Sequence, residues 1–212
     1  MGTPLSVDRN LLRHRALAFP PRASSQHDYF SSLIKSLSSS LNTPPFDPHI
    51  TLLSGLPAST PLEPIISSLA RSIETSDLKR FKVEFKGIGT HHRYFQYLFA
   101  IVDKDNEGLL RLRTLVQEGL ENDGLLHDDP QTGEKVERVE QYFPHASLVY
   151  GTDIEGERSV QEVMERMRKE GNGFEGGVSV GSAQGFQVEE VLVVMCEGKP
   201  EEWKVLGRVA LE

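Results

Sequence analysis

The amino-acid sequence predicts an α+β fold with mainly antiparallel sheets. Apolar residues recur at helical spacing in four stretches, and short strand-like runs lie between and after these stretches. The predicted order of elements is roughly β-α-β-α-β-β-α-β-α-β-β-β. Helices that are interleaved with pairs of strands are typical of the α+β class, in which the strands pair largely in antiparallel fashion.

The helix predictions follow from the apolar spacing and from signals at the helix ends. The four helices are predicted near 27–41, 61–75, 106–122 and 157–170. The second has the clearest start, with Thr60 as N-cap, Pro61 at the first helical position and Glu63 three residues after the cap. The fourth is expected to end at Gly171, because glycine commonly follows the last helical residue.

The strand predictions rest on alternation and on continuously apolar runs. Residues 81–86 alternate between apolar and charged side chains, and 94–102 is nearly all apolar or aromatic, which indicates a central strand. A hairpin connection is expected between them at 87–93. The other predicted strands are 16–19, 49–54, 145–150, and a late pair at 188–196 and 203–211.

Composition restricts the class of protein. The 212 residues are enough for one domain with a sizeable core, so we expect a single bilobal domain across 1–212. The single cysteine, Cys196, excludes an internal disulfide and a thiolate zinc site. A net charge of −8 disfavours binding of long nucleic acid, which depends on neutralising many phosphates. A small phosphorylated ligand remains compatible with this charge.

Two segments are predicted to lie outside the packed core. Residues 1–14 contain scattered charges and no apolar signal-peptide region, so we expect a flexible leader. Residues 123–141 are polar and charged, which predicts a mobile loop. No run approaches the roughly 18 apolar residues of a membrane span. We therefore expect a soluble intracellular protein, most simply cytoplasmic, and leave open a peripheral association with an organelle such as the Golgi.

A repeated decapeptide is the most informative feature of the sequence. FDPHITLLSG at 46–55 aligns without gaps with YFPHASLVYG at 142–151, a constant offset of 96 residues. The two copies share a proline, a histidine, a hydroxyl residue two positions later and a closing glycine. Residues i and i+2 of a strand point to the same face. His49 and Thr51 are therefore expected side by side, as are His145 and Ser147.

The repeat predicts paired acid–base chemistry on a phosphodiester. Imidazole titrates near neutral pH, so one histidine can accept a proton while the other donates one. The hydroxyl beside each histidine can donate a hydrogen bond to a phosphoryl oxygen without adding charge. Structural duplication alone gives no reason for both copies to combine a histidine with a hydroxyl. These groups can stabilise the developing charge themselves, so we expect no metal and no other cofactor.

The two motifs, HIT at 49–51 and HAS at 145–147, resemble the paired signatures of the 2H phosphoesterase superfamily. Within it, the chain is most similar to the fungal and plant 2′,3′-cyclic-nucleotide 3′-phosphodiesterases, with further likeness at 16–21, 93–102 and 201–206. The resemblance implies two antiparallel sheets lining a central cleft, with helices outside. It also implies hydrolysis of ADP-ribose 1″,2″-cyclic phosphate, a product of tRNA splicing, to ADP-ribose 1″-phosphate. Nucleoside 2′,3′-cyclic phosphates would give nucleoside 2′-phosphates.

The resemblance also suggests a role for each site residue. It implies that His49 is the general acid and that His145 activates water. Thr51 and Ser147 match the phosphate-binding hydroxyls, and Tyr150 matches a tyrosine near the substrate. The near two-fold symmetry of the motifs leaves open which histidine is acid and which is base. The expected partner is a small cyclic nucleotide or ADP-ribose cyclic phosphate, bound by a monomer.

A divalent-metal phosphodiesterase is a rival hypothesis. The candidate ligands would be His91, His92, His127, Asp128 and Asp129. Adjacent residues of a strand point to opposite faces, so His91 and His92 are poorly placed to bind one ion together. A hairpin tip and an exposed loop are the favoured interpretations of these residues.

Two further alternatives concern RNA. The chain could be a 2′-5′ RNA ligase-like enzyme that acts on RNA ends, or a non-catalytic RNA-binding module of the same fold. The negative charge and the lack of a Lys/Arg cluster beside aromatic residues argue against affinity for long RNA. Trp203 could stack on a nucleobase or could cover the edge of a sheet.

Overall fold

The computed structural model describes most of the chain. The described residues are 13–19, 24–57, 60–91, 93–126, 141–151, 161–165, 167 and 184–212. Residues 1–12 of the predicted leader and 127–140 of the predicted mobile loop lie outside them. Strand β1 begins at Arg13, inside the segment predicted as a leader.

Three complete helices confirm the helical spacing. They are α1 (Ser25–Leu41), α2 (Leu62–Glu74) and α3 (Glu107–Asn122). Side-chain caps begin two of them: Ser24 accepts a hydrogen bond from the His27 amide in α1, and Asn106 accepts one from the Leu109 amide in α3. The Thr60 cap predicted for α2 is wrong by one residue, because Pro61 occupies the N-cap position without a side-chain bond. Within the predicted fourth helix, 161–165 and 167 are helical.

In the described part of the chain, eight strands form one antiparallel sheet. They are β1 (Arg13–Phe19), β2 (Ile50–Pro57), β3 (Phe81–Gly89), β4 (Leu98–Val102), β5 (His145–Val149), β6 (Gly185–Val188), β7 (Glu190–Met195) and β8 (Lys204–Ala210). The spatial order is β6-β3-β4-β5-β2-β1-β7-β8, and every pairing is antiparallel. The predicted α+β class with antiparallel sheets is therefore confirmed.

The two central strands divide this order into halves. Strands β2 and β5 pair through one residue pair, Ile50 with Ala146, whereas the neighbouring strands pair over longer registers. One half is β6-β3-β4-β5 and the other is β2-β1-β7-β8. We call the Ile50–Ala146 junction the seam. A second link crosses it, because the Tyr142 hydroxyl donates to the Thr51 carbonyl at 2.9 Å. The two predicted sheets are thus joined edge to edge.

The core lies on the helical face of the sheet. Helix α2 packs on α3 and β8, α1 packs on β5, and α3 packs on β2 and β3. Ile50 and Ala146 belong to the main core, which also receives Leu52 and Leu148 from the same strand faces. The histidine and the hydroxyl residue of each motif alternate with these core residues, so their side chains face the other side of the sheet. No helix in the described part of the chain is long and apolar enough to cross a membrane.

Two connections differ from the sequence-based prediction. Strand β4 begins at Leu98 and not at Tyr94, because residues 93–96 close a turn with the Gln96 amide bonded to the Arg93 carbonyl. The predicted mobile loop is packed at its start: Gly124 adopts a φ of +65° after α3, and the Leu125 amide bonds back to the Leu120 carbonyl.

Candidate active site

The same local turn positions both histidines. His49 Nδ1 lies 2.7 Å from the Asp47 carbonyl oxygen, and His145 Nδ1 lies 2.9 Å from the Phe143 carbonyl oxygen. In each repeat the acceptor is the residue before the proline of the motif. A carbonyl can only accept a hydrogen bond, so each Nδ1 bears the hydrogen. This fixes the tautomer, and Nε2 is the nitrogen that can exchange a proton with substrate.

The strands bring the two motifs together. Ile50 lies opposite Ala146 in an antiparallel pair, so the motif positions on either side of this pair alternate across the seam. Continued by one residue in each direction, this register sets His49 opposite Ser147 and Thr51 opposite His145. The register therefore predicts that the four side chains of the repeat lie near the same point of the sheet.

His49 lies in a closed aromatic environment. Its side chain is 4% exposed, and its Nε2 lies 3.2 Å from the Tyr150 hydroxyl. Tyr150 stacks on Phe46 with ring centroids 3.8 Å apart, and the Trp203 ring lies 6.1 Å from the His49 ring. The Tyr150 hydroxyl can donate to neutral Nε2 and can accept from Nε2–H, so it holds this imidazole in either protonation state.

His145 is more open. It is half-buried, stacked on Phe143 at 5.6 Å and in edge contact with Phe99 at 5.3 Å. Burial lowers the pKa of His145 below its ordinary value, the Phe143 carbonyl opposes this shift, and the nearby His91 adds to it. A lowered pKa keeps this imidazole neutral near pH 7, with an Nε2 lone pair that can accept a proton.

The two motif hydroxyls differ in their hydrogen bonding. Ser147 is 5% exposed, and its hydroxyl donates to the Phe95 carbonyl at 2.9 Å. Thr51 is half-buried, and among the described residues no group hydrogen-bonds its hydroxyl. Thr51 can therefore donate directly to a ligand, whereas Ser147 must first give up the Phe95 carbonyl.

The sequence pattern did not indicate several residues that the structure places at the site. Phe95 belongs to a segment predicted as a strand, but it lies in the β3–β4 turn and contacts Tyr150 with ring centroids 5.2 Å apart. Phe143 and Asp47 supply the carbonyls, and their own offset of 96 residues could have identified them. His91 contacts Phe99 and Phe143, the same two rings that flank His145. Sequence spacing gives no signal for this contact.

The proposed metal ligands are only partly described. The His91 ring hydrogen-bonds the Gln96 side chain at 3.0 Å. His92 and residues 127–129 lie outside the described residues. Within the part of the chain that the structure covers, no group of three or more His, Cys, Asp and Glu residues is arranged to hold a metal ion.

A cavity of about 230 Å³ opens beside His49. Its walls come from α1, from the segment before β2, and from β7, β8 and the short helical turn between them. Trp203 and Phe46 line it together with Lys35 and Glu201.

Comparison with known families agrees with this architecture. Residues 16–211 match the family model described as cyclic phosphodiesterase-like protein. The chain belongs to this family. No curated protein sequence matches the chain at a significant level.

Solved structures of low sequence identity share the fold of this family member. A Thermus thermophilus protein has 19% identity and a TM-score of 0.57, with 94% of this chain and 98% of that chain covered. Escherichia coli LigT in complex with 3′-AMP has 13% identity and a TM-score of 0.53, with 95% and 98% covered. A structure described as a phosphoesterase has 13% identity and a TM-score of 0.56, with 94% and 98% covered.

Proposed function

We propose that this cyclic phosphodiesterase-like protein hydrolyses small cyclic phosphodiesters by a pair of histidines, without a metal ion. The proposed substrates are ADP-ribose 1″,2″-cyclic phosphate and nucleoside 2′,3′-cyclic phosphates. The observation that supports it best is the matched pair of turns, in which His49 and His145 both use Nδ1 to bind a backbone carbonyl. We therefore propose that both Nε2 atoms exchange protons with the substrate or with water.

The proposed mechanism begins at the histidine with the lowered pKa. Neutral His145 removes a proton from water through Nε2, and the water oxygen attacks phosphorus. In a nucleoside 2′,3′-cyclic phosphate the bond from phosphorus to O3′ breaks. Protonated His49 donates its Nε2 proton to O3′, so the product is the 2′-phosphate. The site ends with His145 protonated and His49 neutral, and proton exchange with solvent restores the starting state.

The surroundings of each histidine support this division of roles. Burial and the neighbouring His91 disfavour the charged form of His145, as a general base requires. In the free site the Tyr150 hydroxyl can accept the hydrogen bond of the His49 Nε2–H, and this proton must turn from Tyr150 to O3′ before it is transferred. We assign Thr51 as the main donor to a non-bridging phosphoryl oxygen, and Ser147 as a second donor that exchanges its Phe95 contact for the phosphate.

The substrate size follows from the cavity and the charge. A cavity of about 230 Å³ beside His49 suits one substituent of a small substrate. A net charge of −8 disfavours a long polyanion. The complex of LigT with 3′-AMP shows that a protein of this fold binds a mononucleotide. For this chain, we propose the same ligand class.

The deciding experiment is a product assay in excess EDTA. Purified protein is given ADP-ribose 1″,2″-cyclic phosphate and cytidine 2′,3′-cyclic phosphate, and phosphorus NMR identifies which ester bond breaks. We expect turnover that EDTA does not change, with 1″-phosphate and 2′-phosphate as products. A His49→Ala, His145→Ala double variant controls for contaminating esterases. Activity that EDTA abolishes would support the metal enzyme, and RNA binding without turnover would support the binding module.

A further inference from the structure

We propose that the cavity beside His49 is a nucleobase subsite in which the base stacks on Trp203. This inference rests on the proposed function, because it names the part of a cyclic nucleotide that the site recognises away from the phosphate. It distinguishes nucleoside cyclic phosphates from cyclic phosphates on a ribose without a base at that sugar.

The position of Trp203 makes it a wall of the site and not simply a cover for the sheet. Its ring lies 6.1 Å from the His49 ring and 6.0 Å from the Tyr150 ring. It is half-buried and packs on Leu192 and Val194 of β7. It also packs against the cluster that contains Phe46 and Tyr150, so the ring is fixed in place, and part of it lines the cavity. A fixed aromatic face beside a phosphoryl-transfer group is suited to stacking a flat ring.

The remaining lining residues offer both apolar contact and groups that can form hydrogen bonds. Phe46 and Val194 line the cavity along with Trp203, so its interior offers apolar contact. Lys35, Asp47 and Glu201 are exposed residues of the lining, and their side chains carry groups that can hydrogen-bond to the edge of a base. Carboxylates accept from the amino groups of adenine, cytosine or guanine, and the lysine donates to ring nitrogens or carbonyls.

Charge selects a base over a pyrophosphate as the occupant. The lining contains two carboxylates, Asp47 and Glu201, against one cation, Lys35. Burial and, to a smaller extent, Glu201 raise the pKa of nearby Tyr94, as expected where negative charge acts. A second anionic group of the substrate would be repelled here, whereas a neutral base would not.

The volume of the cavity also favours a single base as its occupant. About 230 Å³ is below the roughly 300–1,000 Å³ of pockets that enclose a whole drug-sized ligand. One ring system with its ribose and cyclic phosphate outside, at the two histidines, is consistent with this size. A complete dinucleotide is not.

The test compares substrates with and without a base at the reacting sugar. Steady-state kcat and KM are measured with cytidine 2′,3′-cyclic phosphate and with ribose 1,2-cyclic phosphate. For Trp203→Ala we expect KM for the cytidine substrate to rise by about 5-fold to 150-fold, the range for loss of base–aromatic stacking. KM for the ribose substrate should stay near wild type, and Trp203→Phe should restore most of the loss.

A second variant fills the cavity without removing Trp203. Ser31 lines the cavity from α1, and Ser32 is exposed on the same helix outside this lining. Ser31→Phe should raise KM for the cytidine substrate only, whereas Ser32→Phe, which adds the same ring one position along, should change neither. If Trp203→Ala does not fold, these two serine variants still test the subsite.

The outcomes separate this inference from the proposed function. Equal loss on both substrates, or no loss on either, in the folded Trp203 and Ser31 variants would overturn the subsite. If the wild type hydrolyses neither substrate, the proposed function fails, and titration with cytidine 2′-phosphate and ribose 1-phosphate then tests the subsite. Weaker binding of the cytidine compound alone in Trp203→Ala would still support it, and unchanged binding would overturn it.

Discussion

The surroundings of His49 and His145 differ although their backbones repeat. Each imidazole donates from Nδ1 to the carbonyl two residues earlier. Beyond that bond, His49 is enclosed and held by the Tyr150 hydroxyl, whereas His145 lies half-open between Phe143 and Phe99, near another histidine. The comparison teaches that duplication of a motif specifies which imidazole nitrogen bonds the backbone. We propose that the neighbours that are not duplicated decide which histidine is the acid and which is the base.

Removing either imidazole should have the largest effect. We expect His49→Ala and His145→Ala each to lower kcat by about 10²–10⁴, the usual contribution of a positioned proton-transfer group. The double variant should lose much less than the product of the two losses, because the pair acts as a unit. Single-turnover rates with cytidine 2′,3′-cyclic phosphate measure this. Near-normal rates in either folded single variant would contradict the assignment.

Removing the hydroxyls of Thr51 and Ser147 should have different effects, the first mainly on activity and the second mainly on stability. Thr51→Val keeps the shape of the side chain but removes its donor, and we expect a loss in kcat on the order of 10²–10³. Ser147→Ala should lower kcat less, because its hydroxyl is already bonded to the Phe95 carbonyl. It should instead reduce the free energy of unfolding by about 0.5–1.5 kcal/mol. Rate assays and denaturant titration of both variants test this order, and the reverse order would contradict it.

Loss of the Tyr150 hydroxyl should affect His49 and should leave the titration of His145 unchanged. In Tyr150→Phe the ring can still stack on Phe46, but the bond to His49 Nε2 is lost. One neutral hydrogen bond contributes about 0.5–1.5 kcal/mol, so we expect kcat to fall by about 2-fold to 10-fold. The acid limb of the pH profile should stay in place, since it reports His145. A shift of that limb would show that the two halves are electrostatically coupled through Tyr150.

The pH dependence should show the smallest effect. A general base must be neutral, so kcat/KM falls as the pH drops through the pKa of His145, which burial holds below its ordinary value. His91→Phe keeps an aromatic ring near Phe99 and Phe143 but removes a charge that repels the imidazolium of His145. The pKa should rise, and the acid limb should move slightly toward higher pH, because burial is the larger cause. High salt should shift the wild-type limb in the same direction, since it screens the exposed His91 charge. An unchanged limb would exclude His91 as a contributor.

The sequence predicted most of the helices, since these depend on local periodicity, and it singled out four motif side chains through the repeat. It failed where tertiary contacts decide. Tyr94 and Phe95 continue an apolar run, but they form a turn because Tyr150 and Trp203 offer their rings contacts outside the sheet. The predicted order includes a strand before the late pair, but no bounds could be given for it, because β6 begins at the end of a glycine-rich stretch. Gly185 has a φ of +152°, and a Cβ there would overlap the Val83 carbonyl, so its glycine reflects close approach of β3.

The seam between the halves has a mechanical consequence. Turning one strand against its neighbour normally breaks a ladder of hydrogen bonds, but β2 and β5 share one residue pair and the Tyr142 bond. A small rotation about this point leaves the ladders within each half intact. It alters the spacing between His49 and His145, which lie next to the seam on different strands. Across the sheet, the spacing between the two histidines therefore depends on this one backbone pair and the Tyr142 bond, and on helix α3, which packs on β2 in one half and on β3 in the other.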